Sequence, residues 1–277
     1  MTRLLVLLVP IFASVSCQFD QHFVDFLHTK YGPEMHRKLS RADLKNVGSF
    51  GGGYLEGNGA RPVILVHGFR NQAGTLWKVR RDFVAGGIPS QRIFATSWGG
   101  GETPDWQLGE SLSCEHVLRI REFIEAVSRY ANSDVDVVAY SMGGPLARKA
   151  ILGGACVENG HQLGKPLTHK VHTFISVASP HHGSYLCMFP FGHICNFVNG
   201  VSCFSKFLQD INASKRYEGK FVYSIASEQD EIVGYWACGT KTSMIPGSKE
   251  VSIQWKNHEQ TEFDTADVQL RLLRQSA

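Results

Sequence analysis

The residues with the clearest chemical potential lie in the stretch VVAYSMGG, which runs from Val137 to Gly144. Ser141 stands between two small residues, Ala139 and Gly143, each two positions away. This spacing is close to G-x-S-x-G, in which the serine sits on a sharp strand-to-helix turn and acts as a nucleophile. A serine that only caps the following helix is the alternative. Alanine adds one methyl group at the first small position, so we expect the sharp turn to survive.

A serine hydroxyl is a weak nucleophile and needs an adjacent base, which an acid in turn orients. In folds with this turn the chain order is serine, acid, histidine. His258 lies in IQWKNHEQ, after the last predicted strand, a position that none of the other histidines shares. The loop SEQDEIVG offers three carboxylates, Glu228, Asp230 and Glu231. We favour Asp230 as the acid, with Glu231 or a plain surface loop as the alternatives, and thus predict a triad with Ser141.

A tetrahedral intermediate also needs backbone N–H donors that are preorganised around its negative oxygen. One donor of this oxyanion hole is expected from Met142, directly after the nucleophile, and the other from the loop after an early strand. The segment VILVHGFRN supplies that loop: Phe69 follows Gly68, whose missing side chain lets the backbone come close. His67 ends the strand, and we assign its side chain a supporting role. No substrate-binding residue is assigned.

These residues need a scaffold that brings distant loops together, and the hydrophobic pattern predicts one. Continuous apolar runs, typical of strands buried on both faces, alternate with segments of helical periodicity. This alternation indicates an α/β fold with a mostly parallel central sheet and helices on both faces, in a single domain. Strands are predicted at residues 61–67, 92–98, 134–140, 171–178, 220–226 and 250–255, and helices at 114–131, 144–154 and 264–275, the last capped by Asp264 or Thr265.

The first residues predict export. MTRLLVLLVPIFASVSC has one positive charge, a short apolar run and then small residues, which is typical of a signal peptide at residues 1–17. The run is too short to span a bilayer, and a buried N-terminal helix is the alternative. An N-terminal extension at 18–60, with the amphipathic segment FVDFLHTKYG, precedes a main domain at 61–277. Its glycine cluster, GSFGGGYLEGNGA, is interpreted as a flexible connection. We expect a secreted, extracellular protein without a transmembrane segment.

The cysteines also favour an oxidising compartment. The chain has seven, and cleavage after Cys17 leaves six, an even number suited to three disulfides. Cleavage before Cys17 would leave an odd thiol, and the sequence does not choose among the pairings. Asn212, followed by Ala213 and Ser214, is an acceptor for N-glycosylation if the chain passes through a eukaryotic secretory route.

A long segment, residues 179–219, joins two predicted strands and has no predicted place in the sheet. One interpretation is a disulfide-held excursion whose phenylalanines pack into the core. The other is a wall or lid of an acyl-chain pocket, because long loops often carry function. His181 and His182 are adjacent in this segment, make a poor metal site, and are assigned structural roles, so no metal is expected. The phenylalanines are Phe189, Phe191, Phe197, Phe204 and Phe207.

Taken together, the motifs resemble the class 2 triacylglycerol lipase family of the α/β-hydrolase superfamily, known from nematodes. The resemblance covers most of residues 20–262 and rests on FVDFLHTKYG, SRADLKNVGSFGGG, VILVHGF, VVAYSMGG, SPHHGS, SEQDEIVG and NHEQ. It implies an α/β-hydrolase fold, with Ser141 as nucleophile, Asp230 as acid and His258 as base, and ester hydrolysis on lipids. Ala139 departs from the usual glycine, a change that the family tolerates.

The expected function is that of a secreted serine lipase or carboxylesterase that hydrolyses lipid esters, such as acylglycerols, through an acyl-enzyme. Its partner is then a lipid ester at an interface or in micelles, and no cofactor is expected. The formal charge of +3, without a basic run, argues against nucleic acid as a partner. Two alternatives stay open: a catalytically inactive hydrolase fold used for binding, and an acyltransferase, thioesterase or peptidase with the same triad.

Overall fold

A mostly parallel sheet forms the centre of the protein in the computed structural model, which describes residues 18–55, 59–100, 110–188, 192–253 and 255–276. Within these ranges the main sheet has seven strands, in the order β1-β3-β2-β4-β5-β6-β9. Only β1 runs antiparallel to its neighbour, β3. The strands are β1 (Ser49–Phe50), β2 (Val63–Val66), β3 (Ile93–Thr96), β4 (Val135–Tyr140), β5 (Val171–Val177), β6 (Phe221–Ser227), β7 (Trp236–Ala237), β8 (Thr240–Lys241) and β9 (Lys249–Ile253), with β7 and β8 forming a separate hairpin.

Helices cover both faces of the sheet, as predicted. α1, α4, α5 and α6 contribute to one hydrophobic core, and α3 and α8 contribute to the other. This arrangement confirms the α/β fold class that the alternation of strands and helices predicted. The helices are α1 (Gln21–Tyr31), α2 (Pro33–Ser40), α3 (Trp77–Ala85), α4 (Cys114–Ala131), α5 (Gly143–Leu152), α6 (Lys206–Ala213), α7 (His258–Phe263) and α8 (Ala266–Gln275).

The strand before Ser141 shows how both faces of the sheet are filled. Every residue of β4 is buried, and successive side chains point to opposite faces of the sheet. Val137 and Ala139 join the core on the α4 and α5 side, whereas Val138 and Tyr140 join the core on the α3 and α8 side. Because both faces are covered, the strand is mostly apolar along its whole length. Its carboxyl end leads directly to Ser141.

The end of the chain differs from the prediction. The helix expected from residue 264 begins at Ala266, and a separate short helix, α7, precedes it and begins at His258. Thr265 occupies the N-cap of α8 but makes no side-chain cap bond. Its hydroxyl donates instead to the carbonyl of Thr261, one turn back in α7. Thr265, one of the two predicted caps, is therefore at the N-cap position without capping the helix by its side chain, and the predicted start of the helix at residue 264 is wrong.

The glycine cluster near residue 50 is not a flexible connection where the structure describes it. Gly51 and Gly53 are buried like Gly52 between them, and a Cβ on Gly52 would lie 2.6 Å from the Cβ of Phe23. Gly52 also has a backbone φ of +91°, which residues with a side chain rarely adopt. The glycines are needed for close packing, because α1 lies directly against this segment and Phe23 is fully buried.

Three disulfides hold the peripheral segments, as the even number of cysteines predicted. Cys114–Cys156 ties the start of α4 to the loop after α5, and the pairs Cys187–Cys195 and Cys203–Cys238 hold the excursion at 179–219. The predicted leader, including Cys17, lies outside the described residues. In the part of the chain that is described, every helix is too short or too polar to cross a bilayer.

The excursion contains α6 but adds no strand to the main sheet in its described part. The sequence left two interpretations of its phenylalanines, packing into the core or forming the wall or lid of an acyl-chain pocket, and the described ones do not all behave alike. Phe207 is buried in the core, whereas Phe197 and Phe204 are 73% and 70% exposed. Phe189 and Phe191 lie outside the described residues.

Candidate active site

Ser141 sits on a turn that is sharp enough to be strained. Its φ is +45°, in the left-handed region that residues other than glycine rarely adopt. The turn is held at its start, because the Ser141 N–H donates to the carbonyl of Val177 on β5 over 2.8 Å. Gly143 passes so close to β2 that a Cβ there would lie 2.7 Å from the carbonyl oxygen of Val66. The small residue that the motif requires after the serine therefore has a steric cause.

A chain of hydrogen bonds joins Ser141 to His258 at the start of α7 and then to Asp230 in the loop after β6. Its hydroxyl oxygen lies 3.0 Å from Nε2 of His258, and Nδ1 of His258 lies 2.8 Å from Oδ2 of Asp230. The other carboxylate oxygen, Oδ1, accepts from the backbone N–H groups of Ile232 (3.0 Å) and Val233 (2.8 Å). An ionised carboxylate only accepts, so Nδ1–H donates to Asp230 and leaves Nε2 to accept from the serine hydroxyl.

The other two acidic residues of this loop make different contacts. Glu231 accepts from the backbone N–H of His258 at the first turn of α7, over 3.0 Å, and does not contact the ring. Glu228 accepts from the hydroxyl of Ser252 on β9. Of the three carboxylates that the sequence offered, Asp230 is thus the one whose side chain meets the imidazole.

The surroundings of His258 favour its protonated form. Burial of the ring acts in the opposite direction, but the hydrogen bond to Asp230 and the negative charges of Glu262, Asp230 and Glu231 outweigh it. The pKa of His258 is therefore raised above its ordinary value. A base with a higher pKa takes a proton from a weak acid such as a serine hydroxyl more readily.

The segment predicted to supply an oxyanion donor passes directly beside Ser141. A Cβ on Gly68 would lie 3.0 Å from the Cβ of Ser141, so only glycine lets the backbone come this close without a shift of its neighbours. Phe69 follows, half-buried against the core, and Met142 is buried at the N-cap of α5. The assignment of the Phe69 and Met142 N–H groups as oxyanion donors stays a prediction.

His67 is a buried partner of Trp98. The two rings are stacked with centroids 4.8 Å apart, and the Trp98 backbone N–H donates to Nε2 of His67 over 3.1 Å. The indole N–H donates in turn to the His67 carbonyl over 2.7 Å. Burial lowers the pKa of His67 to about 3, so the ring stays neutral and holds the end of β2 in place. Sequence reasoning missed Trp98, because nothing along the chain links it to residue 67.

His181 and His182 make contacts of a structural kind, and the backbone N–H of His182 donates to the carbonyl of Thr242 over 3.0 Å. His181 is fully buried, and its Nε2 lies 2.7 Å from the hydroxyl of Ser176 on β5. Its carbonyl accepts from the side-chain amide of Asn212, over 2.7 Å, and Asn212 also accepts from Arg148. Among the described residues there is no cluster of three or more metal-binding side chains.

The fold and the strained strand-to-helix turn define the protein as an α/β-hydrolase. The mature form of Bacillus licheniformis lipase BlEst2 shares this fold, with a TM-score of 0.58 at 16% identity over 81% of this chain and 97% of that one. The monoacylglycerol lipase of Paleococcus ferrophilus shares it too, with a TM-score of 0.51 at 12% identity over 79% and 97%.

The family model for class 2 lipases matches residues 60–271, and the chain belongs to that family. A curated relative, the lysosomal thioesterase PPT2 homolog of Drosophila melanogaster, is 26% identical over 179 residues, which are 64% of this chain. The same residues are 49% of the relative, so the chain spans about half of its length.

Proposed function

We propose that this protein is a secreted serine hydrolase that cleaves carboxylic ester bonds of lipids, acylglycerols among them, through an acyl-enzyme. The observation that carries the proposal is the hydrogen-bonded chain from Ser141 through His258 to Asp230, with the serine on a strained turn. Three disulfides in the described residues support export to an oxidising compartment.

In the first half of the reaction, Nε2 of His258 takes the proton of the Ser141 hydroxyl while the oxygen attacks the ester carbonyl. Asp230 holds the ring by Nδ1–H and stabilises the imidazolium. The negative oxygen of the tetrahedral intermediate is stabilised by the backbone N–H groups of Phe69 and Met142. The carbon–oxygen bond to the alcohol then breaks, His258 gives its proton to the departing oxygen, and the acyl group stays on the serine.

The second half repeats these steps with water. His258 takes a proton from the water molecule, whose oxygen attacks the acyl carbon. The bond to the Ser141 oxygen breaks, the proton returns to that oxygen, and a carboxylic acid leaves. A catalytically inactive hydrolase fold used for binding is less consistent with the contacts, because none of the three side chains is missing or turned away.

Exposed apolar side chains beside the acid loop support a lipid substrate. The backbone N–H groups of Tyr185 and Leu186 donate to the carbonyls of Val233 and Ile232, over 2.8 and 3.1 Å, which brings the excursion against this loop. Tyr185 is 51% exposed and Trp236, near the same loop, is 64% exposed. Neighbouring exposed apolar side chains indicate an interaction with an apolar partner.

The assignment is tested with the variant Ser141→Ala, a p-nitrophenyl ester and a fluorophosphonate probe. We expect the wild type to turn over the ester and to carry the probe on Ser141, and the variant to do neither. Undiminished turnover by the variant would falsify the assignment. A wild type that is folded but neither labelled nor active would favour the inactive binding protein.

The preference for long acyl chains is tested with a double variant, Phe197→Ser combined with Phe204→Ser. Both phenylalanine side chains are exposed in the excursion. We expect the double variant to lose activity on long-chain esters more than on short ones, because only a long acyl chain extends to apolar side chains outside the triad. Tyr54→Ser, which removes a 67% exposed ring from the N-terminal segment, is the matched control. Equal losses on long and short esters would contradict this part of the proposal.

Thioester hydrolysis is the second candidate, and the relative named as a lysosomal thioesterase favours it. The same triad attacks a thioester carbonyl, so the residues of the site do not discriminate. A panel of acyl-CoA thioesters, triglycerides, phospholipids and short esters of matched acyl chains decides the question. Higher kcat/KM for thioesters at every chain length would replace the ester proposal.

A further inference from the structure

Glu262 is a buried carboxyl that the triad does not include. It lies four residues after His258 in α7, so the two side chains are on the same face of the helix, one turn apart. Only 3% of Glu262 is exposed, and its Oε1 has no hydrogen-bond partner among the described residues. A buried carboxyl oxygen without a partner is costly, and its position beside a reactive site calls for an explanation.

The orphaned oxygen faces the nucleophile turn. A Cβ placed on Gly68 would lie 3.0 Å from Oε1 of Glu262 and 3.0 Å from the Cβ of Ser141. The absent side chain of Gly68 therefore leaves the space in which the carboxyl and the nucleophile come near each other. The carboxyl thus lies next to Gly68, in the segment predicted to stabilise the oxyanion, and on the same helix as the predicted base.

The charged groups that act on Glu262 lie in α7 and in the loop after β6. Burial raises its pKa to about 7; the charge of His258 acts against this, and the charges of Asp230 in the acid loop and Glu259 in α7 add to it. Tyr140, at the end of β4, is a further titratable neighbour, and its pKa is raised by burial and by the charge of Glu262. Glu262 therefore changes its charge near neutral pH.

His258 and Glu262 each change the pKa of the other. The negative charge of Glu262 raises the pKa of His258, together with the hydrogen bond to Asp230 and the charge of Glu231. Glu262 acts without a hydrogen bond to the ring, through space and in a buried environment where charges interact strongly. Two groups that interact in this way titrate as a pair.

We propose that Glu262 is a positioning residue that acts through His258 as a proton-controlled countercharge: ionised, it supports the imidazolium, and protonated, it withdraws that support. The inference rests on the proposed function. In neutral and alkaline solution the ionised carboxyl assists the transfer of the Ser141 proton to His258. In mildly acidic solution Glu262 takes up a proton, His258 then holds its own proton less tightly, and more of it stays available as a base.

The rate at which a fluorophosphonate labels Ser141, followed as a function of pH, tests this proposal. In Glu262→Gln the carboxylate charge is absent at every pH, so the pKa of His258 falls. We expect the neutral end of the acid limb, where Glu262 is ionised in the wild type, to move to lower pH by on the order of one unit when each rate is scaled to its own plateau. At the acidic end, where Glu262 is protonated in the wild type, the two profiles should coincide. Above neutral pH, labelling should slow by about tenfold at most, since one pKa unit is a factor of ten in proton affinity.

Two further variants separate an electrostatic role from a structural one. Glu259→Gln removes an exposed carboxylate of the same helix, whose charge is the smallest of the influences on the pKa of Glu262, and should shift the profile much less than Glu262→Gln does. Glu262→Asp keeps an ionisable carboxyl at the position and should restore the acid limb toward that of the wild type. A scaled acid limb of Glu262→Gln that coincides with the wild-type limb at the neutral end as well overturns the proposal, even if the overall rate is lower.

A direct measurement covers the case in which Glu262→Gln does not fold. The imidazole NMR signals of His258 in the wild-type protein should titrate over a broadened range, because the proton is shared with Glu262. A single sharp titration step overturns the proposal. The proposed function fails separately, if the wild type shows no labelling of Ser141 at any pH, and the NMR titration then still decides whether the two groups are coupled.

Discussion

Replacing Glu262 by glutamine should make the protein more stable at alkaline pH and leave its stability at acidic pH nearly unchanged. Glutamine has the shape of a neutral glutamic acid and carries no charge at any pH. The wild-type carboxyl is buried, and its Oε1 has no hydrogen-bond partner in the part of the chain that the structure describes, so its ionisation in the folded state is opposed by the loss of water. The variant removes this penalty without creating a cavity.

The size of the effect follows from the pKa of the two states. The pKa of Glu262 rises from 4.5 to about 7 on folding. This difference corresponds to about 3 kcal/mol of unfolding free energy, at about 1.4 kcal/mol for each pKa unit. Because the folded pKa is raised, the penalty is absent below the unfolded pKa. It grows as pH rises and is complete once pH exceeds the folded value of about 7.

Urea unfolding with the disulfides intact measures this effect. The free energy of unfolding of Glu262→Gln minus that of the wild type should rise by about 3 kcal/mol between about pH 4 and about pH 8. Taking the difference removes the groups that titrate alike in both proteins. In Glu259→Gln, which alters an exposed carboxylate of the same helix, the corresponding difference should stay within about 0.5 kcal/mol. A difference for Glu262→Gln that is flat with pH would refute the reasoning, because Glu262 would then ionise equally well in the folded and unfolded chains.

The remaining predictions concern two disulfides and a side-chain hydrogen bond that hold peripheral segments of the protein in place. Replacing both Cys114 and Cys156 by serine opens a loop of 42 residues and should cost about 4 kcal/mol of unfolding free energy. The same change at Cys187 and Cys195, which are separated by 8 residues, should cost about 2.5 kcal/mol. Equal costs in urea unfolding would count against a loop-entropy origin. Asn212→Asp should destabilise the protein by about 1–3 kcal/mol, because it removes the amide donor to the His181 carbonyl. Ser214→Ala removes the same glycosylation acceptor but leaves that hydrogen bond, so an equal loss there would contradict the explanation.

Much of the fold was predictable because its signals are local. α4 was predicted with the observed bounds, Cys114–Ala131, since its apolar face is continuous and its ends carry caps. Ser113 accepts from a backbone N–H at the start, and Asn132 adopts the left-handed conformation at the end. The six predicted strands agree with observed strands within one or two residues for a similar reason, because burial on both faces leaves an apolar run in the sequence. The two-residue strands β1, β7 and β8 were not predicted, because so short a strand leaves no apolar run.

Other features depend on neighbours that lie far away in the chain. The glycine cluster at residues 51–53 has the composition of a flexible connection, and only the packing of Phe23 against Gly52 shows that it is tightly held. Glu262 looks like an ordinary surface residue of a charged segment. Its burial follows from the way α7 lies against Gly68, and no pattern along the chain indicates that contact.

The sequence by itself determined the alternation of the main strands and helices, and it named the residues from which a nucleophile, an acid and a base are predicted to come. Motif spacing and hydrophobic period are properties of short segments, and they are readable without coordinates. The tertiary structure decided which groups meet. It brought Asp230 rather than Glu231 to the ring of His258, and it buried the carboxyl of Glu262 next to Gly68, from where its charge acts on the same ring. Distances across a sheet and the exclusion of water arise only when distant segments pack, and these set the charge and the proton affinity of each group.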